Sequence, residues 1–136
     1  MSFNRRRKSK ENELANLISE HPRMVGCTSG NNQGWDVIAF HDGEDGVLWQ
    51  KSLQFEVKSS VKSTFRFDGR GLRQLRWYRR QWKEHHIRTW YAYRLVDGSK
   101  GTERSKWRFF RVTTIDKKLV WEEGLTWKLF WDLVAP

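Results

Sequence analysis

A single α/β domain, with a central mixed sheet flanked by helices, is the fold class this sequence predicts. Three observations predict it. The hydrophobic period switches between helical and strand spacing along the chain. The elements so read follow the order α-β-β-β-α-β-β-α, which suits helices packed against a sheet. The length, 136 residues, is enough for one core and not for two.

The first helix is predicted from Ser9, as N-cap, to about His21, with Leu14, Leu17 and Ile18 as its apolar stripe and Pro22 as its stop. Residues 1–8 read as a flexible basic arm ahead of a domain spanning 9–136. Arg23–Thr28 reads as a short strand, and Ser29 to Gly34 as a turn of small and polar residues. From Trp35 to Phe40 the chain alternates, with Trp35, Val37 and Ala39 on one side and Asp36, Ile38 and Phe40 on the other. The Asp-Gly signals between His41 and Gly46 predict a hairpin.

Val47–Lys58 is the next strand, with Leu53, Phe55 and Val57 opposite Gln54, Glu56 and Lys58. Gly71 to about His86 reads as the second helix. Leu72, Leu75, Tyr78 and Trp82 gather on one side of it, and Arg73, Arg76, Arg80 and Lys83 on the other. Two strands, Arg88–Val96 and Trp107–Thr114, and a helix from about Thr126 complete the chain.

Several function classes are excluded. No apolar run is long enough to span a bilayer, and the charged N-terminus lacks the apolar stretch of a secretory signal. One cysteine, Cys27, forms no internal disulfide, and the four histidines lack ligand spacing relative to it for zinc. A cytoplasmic location is expected. The net charge of +10 instead suggests a polyanion as partner. Basic and aromatic residues interleave in Arg76-Trp77-Tyr78-Arg79-Arg80-Gln81-Trp82-Lys83, a composition that grips phosphates and stacks on exposed bases. Phosphate contacts are expected from Arg70, Arg73, Arg76, Arg80 and Lys83, and from Arg5, Arg6, Arg7 and Lys8. A solvated tail is the alternative for the last four, and an ordinary solvated helix face for the cations of the second helix. His85-His86 and the acids Asp42, Glu44 and Asp45 read as an exposed helix end and a hairpin tip.

The chemistry is carried by Asp36 and Glu56-Val57-Lys58. Both acids lie in otherwise apolar strands, where a charge needs a partner or a purpose. The one-residue gap puts Glu56 and Lys58 on the same face of one strand. If the two strands pair, Asp36 and Glu56 converge on one cation, and two carboxylates with waters and a phosphate oxygen make a Mg²⁺ shell. Lys58 then orients water and offsets developing charge. The alternative is a buried ion pair that serves the fold.

With these residues in view, the chain resembles the archaeal-type Holliday junction resolvases, PD-(D/E)xK nucleases with the restriction-endonuclease-like fold. The resemblance covers roughly residues 8–115. It rests on the Glu11-Asn12-Glu13-Leu14 run of the opening helix, Ser29-Gly30, Gly34-Trp35-Asp36-Val37-Ile38-Ala39 and Phe55-Glu56-Val57-Lys58-Ser59. It implies that Asp36 and Glu56 are metal ligands and that Lys58 is the catalytic lysine. It also implies that Glu11 ligates or positions the metal and that Ser29 lies near the scissile phosphate. For Glu11, favourable placement in a first helical turn is the alternative, and Glu11 sits nearer the Leu14/Ile18 stripe than Glu13 does. The span from Asp36 to Glu56 is longer than the family's by a hairpin, His41 to Lys51.

The activity so implied is Mg²⁺-dependent hydrolysis, with Mn²⁺ as a substitute, that nicks a four-way junction symmetrically and leaves 5′-phosphate and 3′-hydroxyl ends. One site per chain then requires a homodimer. Two other readings stand beside it: a nuclease of the same fold acting on linear, nicked or flapped DNA, and a DNA-binding module without cleavage.

Overall fold

The structure is a computed structural model that describes residues 3–22, 24–28, 35–41, 52–98 and 103–134; the side chains of residues 3–8 and of residue 41 lie outside that description. Helix α1 spans Phe3–Glu20, followed by strands β1 (Met24–Thr28), β2 (Val37–His41), β3 (Leu53–Ser60) and β4 (Thr64–Arg66). Helix α2 (Gly69–His85) leads to β5 (Thr89–Leu95), β6 (Trp107–Arg111), β7 (Lys118–Val120) and helix α3 (Trp127–Val134). The main sheet has the order β1-β2-β3-β5-β6. β3 and β5 run parallel, while the other neighbours are antiparallel, so the sheet is mixed as expected.

The parallel pair requires a crossover, and α2 makes it. Asp68 opens α2 by accepting the Gly71 N–H at 2.7 Å, and His86 closes it in the left-handed region at φ 57°. Alternation then sorts side chains to two faces. Phe55 and Val57 of β3, with Trp90 and Ala92 of β5, pack against Leu14, Leu17, Ile18 and Phe130 of α1 and α3. On the other face Tyr91 and Tyr93 meet Leu75 and Tyr78 of α2.

α1 starts at Phe3, ahead of the predicted Ser9 cap, so residues 3–8 continue the helix where a flexible arm was expected. Nothing between Asn4 and Glu20 breaks a helix, and extending one costs less than nucleating it. β2 starts two residues after the expected Trp35, although the Asp36 N–H already bonds the Phe55 carbonyl at 2.9 Å. The expected start of β3 at Val47 and the hairpin tip lie outside the described residues. β6 ends at Arg111, where a strand to Thr114 was expected, because Val112–Thr114 coils into a 3₁₀ turn. β4 and β7 pair as a small second sheet that the sequence pattern does not mark.

α1 lies close on β1 because Gly26 has no side chain. A Cβ there would meet the Ala15 carbonyl oxygen at 2.5 Å and the Ile18 Cβ at 2.9 Å. Gly26→Ala is therefore expected to cost about 1–3 kcal/mol, read as a lower urea midpoint at unchanged m-value. An unchanged midpoint would mean that the helix has room to retreat.

Candidate active site

The β2–β3 ladder brings the two acids together. Val37 pairs with Phe55, which leaves Asp36 at the head of β2 beside Glu56 and Val57. The Val57 N–H donates to Asp36 Oδ2 at 2.8 Å and fixes that carboxylate. Glu56 points to the α2 face and is only 1% exposed. Its Oε1 accepts from the Tyr78 hydroxyl at 2.5 Å and from Gln74 Nε2 at 3.3 Å. Lys58 Nζ stands 3.4 Å from Glu56 Oε2 and is 16% exposed, with its ammonium 5.6 Å from the Phe65 ring centre.

These surroundings set the protonation. Burial, and then the Asp36 charge, push the Glu56 carboxyl up to about 8, against the pull of Lys58 and Tyr78. The two carboxyls also hydrogen-bond, so in the absence of a cation the pair holds a proton at neutral pH. Burial and the Glu56 charge likewise hold the Tyr78 and Tyr91 hydroxyls above their usual range. Tyr91 lies opposite Glu56 in the β3–β5 register, and its buried hydroxyl has no hydrogen-bond partner among the described residues.

Lys58 and Gln74 open onto a cleft of about 720 Å³ that Lys10, Arg66 and Arg70 also line. The one acid among its described lining residues, Asp68, is engaged as the cap of α2. The acid pair thus borders an electropositive recess. Two carboxylates whose mutual charge disfavours joint ionisation, beside donors for a phosphate, are a donor set that suits a divalent cation.

Asp36, Glu56 and Lys58 therefore stand together as the sequence predicts. Among the described residues, Glu11 included, no group of three or more His, Cys, Asp or Glu side chains is spaced for a metal ion. The acid that α1 buries is Glu13. Its Oε1 accepts from Arg94 Nε at 2.8 Å and from Trp107 Nε1 at 3.1 Å, and Lys10 stands 3.3 Å from its Oε2. Arg70 reaches the cleft, and Arg73, Arg76, Arg80 and Lys83 are exposed along α2. Ser29 and the side chains of Arg5, Arg6, Arg7 and Lys8 lie outside the described residues.

Sequence reasoning missed Gln74, Tyr78, Lys10 and Arg66 as site residues. Tyr78 read as core, and its spacing of four from Gln74, which puts two polar groups on one helix face, was the available signal. Among the described residues no helix is long and apolar enough to cross a membrane.

Neither a protein-family model nor a curated protein matches the sequence. Among solved structures, the chain is similar to Hjc, a Holliday junction resolvase from the archaeal hyperthermophile Archaeoglobus fulgidus. The TM-score is 0.58 at 18% identity, over 87% of this chain and 92% of that one. The architecture of this chain, a five-stranded mixed sheet with α1 and α3 on one face and α2 on the other, is the fold of that resolvase.

Proposed function

We propose that the chain is a divalent-metal-dependent DNA endonuclease that resolves four-way junctions. The observation that carries this reading is the Asp36–Glu56–Lys58 constellation at the edge of a cation-lined cleft, within the fold of a known resolvase. Asp36 and Glu56 would hold the metal, Mg²⁺ or Mn²⁺ in its place. When bound, that ion offsets phosphate charge and makes water a better nucleophile.

The protein's own groups do the rest. The Val57 N–H and the Tyr78 hydroxyl fix the two carboxylates in place. Lys58, partly exposed at the cleft wall, orients the attacking water and stabilises charge on the phosphate as the bond to the 3′ oxygen breaks. Lys10, Arg66 and Arg70 hold the backbone by charge, which favours DNA shape over base sequence. Two symmetric nicks require two sites, hence a C₂ homodimer. Leu129 and Leu133, exposed one turn apart on α3, are the apolar surface offered for its contact.

The test uses a labelled four-way junction and a linear duplex of the same sequence, each with Mg²⁺ or EDTA, beside Asp36→Asn. Paired nicks in the junction alone, lost with EDTA and in the variant, are expected. Equal cutting of both substrates would reduce the reading to a general nuclease. Binding without cleavage in any divalent metal would leave only a DNA-binding module.

A further inference from the structure

Trp77 is a large apolar side chain that α2 leaves 39% exposed. Its ring is backed by Trp35 at 5.7 Å between centroids and by Tyr78 at 5.4 Å. Neither support is free to move away. Trp35 donates through Nε1 to Thr89 Oγ1 at 2.9 Å and directly precedes Asp36. Tyr78 is buried and bonded to Glu56. Trp77 is thus a rigid aromatic plane joined through one residue on each side to the two acids.

Its neighbours on the helix surface are polar. Gln74, three residues before it, reaches Glu56, while Arg73 and Arg80, four before and three after, are exposed. An open indole between exposed guanidiniums fits a ligand with an anionic backbone and a flat, uncharged ring. That is a nucleotide whose base is out of the duplex, since a base stacked within a continuous duplex offers no free face. A second copy of the same face is the poorer fit. Arg73, Arg76, Arg80 and Lys83 would oppose their own counterparts, with Glu84 as the one acid of α2 to offset them.

We propose that Trp77, braced by Trp35, stacks on an unpaired nucleobase beside the phosphate to be cut, and so selects DNA with a disrupted stack over continuous duplex. The proposal rests on the nuclease reading above for the location of the cut, but not for the stacking itself. Trp77 is a specificity residue in this scheme; it takes no part in bond breaking.

The experiment measures binding without cleavage. A four-way junction carrying 2-aminopurine at the branch point is titrated with the protein in EDTA. Anisotropy of an end label reports affinity, and 2-aminopurine fluorescence reports stacking. Wild type is expected to quench the 2-aminopurine. Trp77→Ala is expected to lose the quench and about five- to a hundredfold in junction affinity, with duplex affinity and melting temperature little changed. Trp77→Phe, which keeps a ring, is expected to retain most of both.

Unchanged quench and affinity in a folded Trp77→Ala protein would overturn the proposal. So would a fall in oligomer mass in sedimentation with the quench intact, because Trp77 would then be a protein contact. A Trp77-dependent quench without cleavage in any metal sinks the nuclease reading and leaves the platform. Cleavage with a quench indifferent to Trp77 does the reverse, and failure to bind any DNA sinks both.

Discussion

Glu56→Gln is expected to abolish cleavage and, at the same time, to make the metal-free protein more stable. Both effects come from one buried carboxyl. In the folded chain it is pushed up to about 8 from an ordinary value of 4.5. Below pH 4.5 it is neutral folded and unfolded, so its ionisation costs nothing. As pH rises from 4.5 towards 8, the unfolded chain gives up the proton and the folded chain keeps it, so stability falls by about 1.4 kcal/mol per unit.

Gln is neutral at every pH and keeps an acceptor for Tyr78. Its melting curve is therefore expected to match wild type near pH 4 and to lie above it by about 5–15 °C at pH 8. Mg²⁺ is expected to narrow that gap by stabilising wild type alone. Because the ion must displace the proton, cleavage at limiting Mg²⁺ climbs with pH through about 8. Loss of the ligand is expected to lower the cleavage rate by about 10³-fold or more. A Glu56→Gln protein that melts below wild type at pH 8 would show that the acid serves the fold as an ion-pair partner of Lys58.

The largest loss of stability is expected from Glu13→Ala. Glu13 is 7% exposed and Arg94 2%, and their contact at 2.8 Å joins α1 to β5 on the face away from α2. Removing the carboxylate takes the opposite charge from a buried guanidinium, which keeps its bond to the Leu95 carbonyl, and leaves the Trp107 N–H without its acceptor. The cost is about 3–5 kcal/mol in urea unfolding. Replacing both partners with apolar residues, Glu13→Leu with Arg94→Met, is expected to recover most of that loss. Below its melting temperature the single variant is expected to cut DNA at a rate little changed. A selective collapse of cleavage, with stability intact, would instead make Glu13 a site residue.

That outcome bears on what the sequence could tell. Strand alternation correctly put Glu56 and Lys58 on one face and set Asp36 opposite Val37 and Ala39, but Trp35, expected beside those two, packs on the α2 face with Trp77 and Tyr78, because β2 begins only at Val37. Both inferences need only a period of two and a neighbouring strand. Choosing between Glu11 and Glu13 needed more. The helix wheel favours Glu11, but burial followed the partner, and Arg94 lies 81 residues further along the chain. The same limit hid Tyr78, whose hydroxyl is at the site although its ring is core. The β4–β7 ribbon escaped notice because three-residue strands are too short to show a period. The small-sheet register, Thr64 with Val120, is likewise fixed only by tertiary packing.

The acids are also fastened to the sheet unequally. Among the described residues, β3 is paired with β5 from Gln54 to Ser60 and with β2 from Leu53 to Phe55. Amide exchange should therefore be slowest around Glu56 and Lys58, near the limit set by global unfolding, and faster along β2, which Asp36 directly precedes. A partial opening that releases β1 and β2 would separate the carboxyls while the rest of the fold stood. Nuclease competence would then be lost before the protein melts, and a cation bridging the two strands would close that gap.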